Sequence, residues 1–201
     1  MSWGEQYAAR RGVHERYKTV WRVPIVKKLS LLFEQHIAKD ARVLDVGAGE
    51  RNAKALLPGR SYESCDPDPH TQHDYTDLAQ VRGPYDAILF LEVIEHLGPE
   101  EALSTLKRLR ELLAPNGVLV VSTPNTFHPP AYLRDATHKT PFCYDELGGI
   151  LAVAGFETSA LVRVYNDAIW RKLLRRYAFG WLFRLLSLDF APQIAAVARV
   201  T

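Results

Sequence analysis

Three groups of residues combine types and spacing that could do chemistry. The first is the stretch Val43-Leu-Asp-Val-Gly-Ala-Gly-Glu50. Glycines at 47 and 49 permit a tight turn and let a ligand approach the backbone closely, although a loop glycine pair can also serve the turn alone. A dinucleotide loop of the pattern G-x-G-x-x-G/A wants a small residue at position 52, where Asn52 stands. Asp45 sits badly beside a pyrophosphate and suits a cationic ligand group instead. The second group is acidic. Asp66 can accept hydrogen bonds from ribose hydroxyls, or merely open the Asp66-Pro67-Asp68-Pro69 turn. Asp74 follows, with Asp77 as a near competitor for a base amino group. The third group is Glu92-Val-Ile-Glu95-His96, with His128 and His138 further on. An imidazole titrates near neutrality and can serve as a base. His96 directly follows an apolar run and is the best placed. Each of these histidines can equally be structural.

The elements that would hold these residues follow from the apolar pattern. Arg42 to Val46 reads as a short buried strand that ends in the glycine pair. Ser61 to Cys65 is a weaker strand, and a short one is expected near His73. Ala87 to Leu91 and Val118 to Val121 are continuously apolar, which suits strands covered on both faces. Pro99 to Leu113 is a helix with Leu103, Leu106, Leu109, Leu112 and Leu113 along one face. Val26 to Ile37 and Tyr144 to Ala154 also read as helices. A strand is expected from Phe156 to Val164, then a basic amphipathic helix from Ala168 to Leu186 with Gly180 as a possible bend, and a last strand from Gln193 to Val200. Strands alternating with helices imply right-handed crossovers and a mostly parallel sheet. Ligands of such sheets bind at the carboxyl ends of the strands, where all three groups fall.

Composition bounds the rest. The chain has 201 residues, 47% hydrophobic and 24% charged, with a net charge of +2. That balance speaks against DNA or RNA held by charge alone. The distribution is uneven: arginines and lysines crowd residues 10–28 and 163–184, while carboxylates dominate from Asp40 to Glu101. Cys65 and Cys143 form no CxxC pair, so neither a disulfide framework nor a zinc knuckle is indicated. Residues 1–11 have no apolar core of the secretory type, and the expected location is the cytoplasm.

Taken in order, the stretch Val43–Glu50, Asp66, Asp74, Tyr85-Asp-Ala-Ile-Leu-Phe-Leu-Glu-Val-Ile-Glu-His-Leu97 and Leu113-Ala-Pro-Asn-Gly-Val-Leu-Val-Val-Ser-Thr-Pro-Asn125 resemble the class I S-adenosylmethionine-dependent methyltransferases. Within them the chain is similar to the methyltransferase-11/12/23-like group, over roughly residues 39–156. The resemblance implies an α/β, Rossmann-like fold. Its sheet would be seven-stranded and mostly parallel, of order 3-2-1-4-5-7-6, with helices on both faces. Residues 1–38 would form an N-terminal helical cap, and 39–201 the methyltransferase domain, with a basic helical insertion at about 167–188.

The resemblance also implies S-adenosyl-L-methionine as cofactor. Asp45, Gly47 and Gly49 would lie near its methionine moiety, Asp66 on the ribose, Asp74 near the adenine and Glu92 at the methionine end. A sulfonium donor is already activated, so the protein mainly aligns the acceptor and excludes water. An oxygen or nitrogen acceptor must still lose a proton, and His96 and His138 are the candidate catalytic bases. The acceptor is expected to be a small molecule, sugar or lipid-like compound. The segment Asp135-Ala-Thr-His-Lys-Thr-Pro-Phe142 is similar to one found in methyltransferases acting on sugars, lipids and quinones. The basic insertion could lie on a membrane surface, cover the acceptor, or simply pack on the core.

Three alternatives stand beside this reading. Glu92, Glu95, His96 and His138 are similar to the metal set of small-RNA 3′-end 2′-O-methyltransferases, although no aromatic-rich RNA module accompanies them; the preferred reading assigns no metal. A nicotinamide-dependent oxidoreductase is disfavoured by Asp45 and Asn52. A non-catalytic cofactor-binding adaptor is the third.

Overall fold

The computed structural model describes residues 3–200, so the first two residues of the expected cap and the last of the expected domain lie outside it. The helices are α1 (Trp3–Tyr17), α2 (Ser30–His36), α3 (Pro99–Leu112), α4 (Pro129–Leu133), α5 (Tyr144–Val153), α6 (Ile169–Leu173) and α7 (Gly180–Leu185). The strands are β1 (Ile25–Val26), β2 (Arg42–Val46), β3 (Ser61–Cys65), β4 (Tyr85–Leu91), β5 (Leu113–Pro124), β6 (Phe156–Val164) and β7 (Gln193–Val200). They form one seven-stranded sheet of order β1-β6-β7-β5-β4-β2-β3. β7 runs antiparallel to both β5 and β6, and every other pairing is parallel.

The continuous apolar runs are explained by the two faces of this sheet. Leu44, Ile88, Phe90, Leu119 and Val121 point to one side, where they meet the leucines of α3 and the apolar residues of α5. Val43, Ala87, Leu89, Val118 and Val120 point to the other, against Leu32 and Phe33 of α2 and Ala53. α3 is bounded as its sequence dictates: Pro99 opens it, the Glu101 carboxylate accepts from the Gly98 N–H at 3.3 Å, and its buried leucines repeat at helical spacing. Each buried leucine contributes about 1.5–3 kcal/mol of apolar transfer.

The Rossmann-like fold class expected from the sequence is present, and its two sheet edges differ from the expected order. Where the third strand should lie, near His73, there is only an isolated bridge between Cys65 and Tyr75. Pro67 and Pro69 remove donors from the link, and the link is too short for a crossover helix that could align a full strand. The seventh strand comes instead from the N-terminal segment. β1 pairs in parallel with β6, so a stretch expected to begin a helix at Val26 contributes to the sheet, and the helix is confined to α2. The expected helix over 168–186 is also interrupted. A π-turn at Leu174–Ala178, with the Phe179 N–H donating to the Leu174 carbonyl, ends the first piece, and α7 starts at Gly180.

A buried ion pair ties these outer parts together. Arg163 of β6 donates to Asp189 at 2.9 Å and to the Val23 and Trp21 carbonyls. Asn125, at the end of β5, donates to the other Asp189 oxygen at 2.8 Å. Removing one partner of such a pair costs about 3–5 kcal/mol, because it strands the other charge.

Candidate active site

The carboxyl ends of β2, β3, β4 and β5 share one rim. After β2 the chain turns through two left-handed glycines, Gly47 (φ +72°) and Gly49 (φ +48°). The Gly47 N–H donates to the Cys65 carbonyl at 2.9 Å. A Cβ on Gly47 would collide with the Val93 side chain, so only glycine lets the loops after β2 and β4 meet. Asp66, just past β3, clasps this loop. Its Oδ2 accepts from the Gly49 N–H at 2.8 Å and its Oδ1 from the Asp68 N–H at 2.9 Å. A carboxylate has about four lone-pair sites, which leaves capacity for ligand hydroxyls.

Asp45 is 3% exposed, and the Tyr62 hydroxyl donates to its Oδ2 at 2.6 Å. Burial pushes its pKa up to about 6 against that hydrogen bond, and the nearby Asp66 charge adds to the rise. A ligand ammonium beside Asp45 would favour the ionised form. Asp74 is turned toward β3: its Oδ2 accepts from the Ser64 N–H and hydroxyl at 2.8 and 2.9 Å and from Arg51 at 3.5 Å. Burial opposes its ionisation, but the Ser64 bonds and Arg51 hold the carboxyl below its ordinary range. Asp77 lies beyond Tyr75, on the carboxyl side of the bridge to β3. Burial first, then the Asp77 and Asp66 charges, push the Cys65 thiol up to about 11.

Glu92 follows β4 with φ +54°, a conformation that non-glycine residues adopt rarely. Its N–H donates to the Ser122 carbonyl, and its Oε1 accepts from Ser122 Oγ at 2.9 Å and Gln193 Nε2 at 2.7 Å. Surrounding protein raises its pKa, with these two donors opposing. Glu95 is fully buried, and burial followed by the Glu92 charge pushes it up to about 8. Thr123 tempers that shift, yet neither Glu95 oxygen is in hydrogen-bond geometry.

His96 and His138 meet here with ring centroids 4.8 Å apart. Their tautomers follow from their partners. His138 Nδ1 lies 2.7 Å from the Tyr132 carbonyl, which can only accept, so Nδ1 carries a proton and Nε2 is the nitrogen left bare in the neutral ring. His96 Nδ1 lies 2.9 Å from Thr137 Oγ1, whose single proton goes to Asp135 Oδ1 at 2.7 Å. Thr137 therefore accepts from His96 Nδ1–H, and Nε2 is again the nitrogen left bare in the neutral ring. His128 stands apart from this pair, donating Nδ1–H to the Asp189 carbonyl at 3.1 Å.

A cavity of about 710 Å³ opens between the α1 end, the loop after β5, the start of α5 and the segment after α7. Arg10, Lys18, Trp21, Arg22, Tyr144 and Arg184 line it. Among the described residues of its lining, Asp145 is the only carboxylate, and it already pairs with Arg10 at 3.0 Å.

Sequence reasoning singled out Asp45, the glycines, Asp66, Glu92 and both histidines, and the fold gathers them on one rim. It missed Tyr62, Thr137 and Gln193, whose roles depend on which strand or loop becomes their neighbour. A glycine-rich turn, flanking carboxylates at the ends of β2 and β3, and a covered parallel sheet are the arrangement expected of a class I methyltransferase. The sequence profile of a family described as a methyltransferase domain matches residues 13–179. The chain belongs to that family and is an S-adenosylmethionine-dependent methyltransferase.

Solved structures share the fold at low identity. An S-adenosylmethionine-dependent methyltransferase from Archaeoglobus fulgidus is 17% identical with a TM-score of 0.63, covering 85% of this chain and 92% of its own. A 1,6-didemethyltoxoflavin-N1-methyltransferase from Burkholderia thailandensis, with bound 1,6-didemethyltoxoflavin and S-adenosylhomocysteine, is 19% identical with a TM-score of 0.61, over 100% and 92%. A methyltransferase from Haloferax volcanii in complex with the Trm112 activator is 13% identical with a TM-score of 0.61, over 98% and 95%. No curated protein matches the chain in sequence.

Proposed function

We propose that this enzyme methylates an oxygen or nitrogen of an anionic small molecule, sugar or lipid-like acceptor held in the cationic cavity. The observation that carries the reading is the cavity's lining: Lys18, Arg22 and Arg184 with Trp21 and Tyr144, beside Arg10, whose charge is met by Asp145 and Glu146. Its size suits a ligand of drug-like dimensions. Asp66 is the partner for the cofactor's ribose, Asp45 for its ammonium group, and Gly47 and Gly49 admit it to the backbone. Asp77 is a better partner for the adenine than Asp74, since Asp74 has one oxygen committed to Ser64 and Arg51. A bare Nε2 on His96 or His138 takes the acceptor proton while the methyl group leaves the sulfonium. Of the expected cap at 1–38, α1 serves as the cap, while β1 and α2 belong to the sheet and core of the methyltransferase domain, and α6 and α7 rest on an anionic membrane surface.

The test of the acceptor site is Arg184→Ala, assayed with an acceptor found by screening anionic candidates. The acceptor KM should rise about tenfold or more, the loss of one charge-assisted contact, while S-adenosylhomocysteine binds as before. An unchanged KM would contradict this reading.

A further inference from the structure

We infer that Arg22, Arg163, Arg176 and Arg184 form a binding site for the terminal phosphoryl group of a phosphate monoester, in a second cavity beside the one assigned to the acceptor. This cavity measures about 320 Å³ and lies between the segment 21–25, Arg163 of β6 and the helical stretch 176–184. It shares Trp21, Arg22 and Arg184 with the larger cavity, and adds Arg163 and Arg176. Among the described residues of its lining there is no carboxylate. The two acids that follow β6 in the chain are spent elsewhere: Asp167 on Arg171 and Arg175, and Asp189 on Arg163. Among the described residues, no carboxylate pairs with Arg22, Arg176 or Arg184.

Arg163 forms the floor of the site. Its side chain is 5% exposed and donates to the Asp189 carboxylate and to the Val23 and Trp21 carbonyls, which occupies three of a guanidinium's five N–H groups. Arg163 and Arg184 both lie over the Trp21 ring, their guanidinium carbons 5.4 and 5.8 Å from its centre. Burial holds the Arg163 guanidinium below its ordinary pKa against the pull of Asp189, and the Arg176 and Arg184 charges deepen the fall. Four like charges with one carboxylate among them repel one another, and an anion entering the cavity relieves that repulsion. The class of anion follows from the donors. A carboxylate brings one charge and is matched by a single guanidinium fork, which leaves two arginines unmet. A phosphate monoester brings about −1.5 to −2 near neutral pH and three acceptor oxygens, so it can meet the forks of Arg22, Arg176 and Arg184 together. Soluble phosphate esters and phosphatidic acid carry the same group. Phosphate binding does not rest on the methyl-transfer reading.

The experiment titrates isotopically labelled full-length protein with inorganic phosphate, then with glycerol phosphate, at constant ionic strength, and reads the arginine Nε–H signals by nuclear magnetic resonance. The buried Arg163 Nε–H, held by the Val23 carbonyl, is protected from exchange with water. Its signal should shift saturably with either phosphate and not with chloride. Arg176→Gln should weaken that binding about tenfold or more, the loss of one charge-assisted contact. Arg171→Gln removes the same charge from the Asp167 pair and should bind phosphate like wild type. Vesicles containing phosphatidic acid identify the source of the group. If a lipid supplies it, Arg176→Gln should partition about tenfold less than Arg171→Gln; if a soluble ester supplies it, the two variants partition alike and the phosphate response remains. No saturable shift in wild type, an equal shift with chloride, or a response in Arg176→Gln no weaker than in Arg171→Gln would overturn the site. S-Adenosylhomocysteine titrated into the same samples tests the methyltransferase separately, and its failure to bind would leave a phosphate response standing.

Discussion

Tyr62 holds Asp45 through a 2.6 Å hydrogen bond, yet burial and the Asp66 charge still leave that carboxyl titrating near pH 6. The sign of the consequence follows from which state binds the proton. Without ligand, the folded chain holds it more tightly than the unfolded chain, so Asp45 subtracts stability as pH rises from 3.8 to about 6. A bound ammonium group reverses the preference, because it favours the charged carboxylate. S-Adenosylhomocysteine affinity should therefore be flat above about pH 7 and fall toward tenfold per pH unit well below pH 6. Asp45→Asn should bind weakly at neutral pH and lose this dependence. Calorimetric titrations across the range check it, and a wild-type affinity unchanged to pH 5 would contradict the assignment. Asp45, Gly47, Gly49 and Asp66 were legible because short-range spacing fixes their loop. Tyr62 was not, since its neighbour is set by the register of β2 against β3, and the choice between Asp74 and Asp77 stayed open because it turns on a single bridge.

β4, β5 and α3 were readable because each carries its own evidence. The strands are apolar on successive residues and are covered on both faces, and the leucines of α3 recur at helical spacing. Elements that depend on a partner were not. β1 has only two residues and exists through its pairing with β6, and the continuous helix expected over 168–186 breaks at a π-turn and Gly180. Large apolar side chains are exposed along both pieces: Trp170 is 64% exposed, Tyr177 72%, Trp181 63% and Leu185 72%. Arg171, Lys172 and Arg176 lie among them. No helix among the described residues is long and apolar enough to cross a membrane, but aromatic and basic residues side by side suit the interface of an anionic bilayer. The protein should co-sediment with phosphatidylglycerol vesicles and much less with phosphatidylcholine alone. Replacing both Trp170 and Trp181 by Ser should lower partitioning about tenfold or more. Equal recovery with both vesicle types, or no effect of the double variant, would contradict the membrane contact.

Across the molecule, the basic and acidic blocks of the sequence acquire a spatial meaning. Asp45, Asp66 and Glu92 of the middle segment lie at the carboxyl ends of β2, β3 and β4, while Arg10, Lys18, Arg22 and Arg184, from opposite ends of the chain, line one cavity. α1 closes onto α5, with Arg10 paired to Asp145 and Glu146 and a Cβ on Gly149 forbidden by the Arg10 backbone. The central sheet order was legible from the ordered motifs, whereas the cavity was not, because residues far apart in sequence build it. The proposed seat of the cofactor lies across the carboxyl ends of β2 and β3. Its most direct test is calorimetric titration of S-adenosylhomocysteine into wild type and Asp66→Ala. Saturable binding to wild type, weakened about 10–100-fold in the variant by the loss of charge-assisted hydrogen bonds, is the expected result. At a hundredfold excess over its dissociation constant the ligand should also stabilise the wild-type fold by about 2.7 kcal/mol. Wild type that does not bind, or a variant that binds equally well, would contradict it.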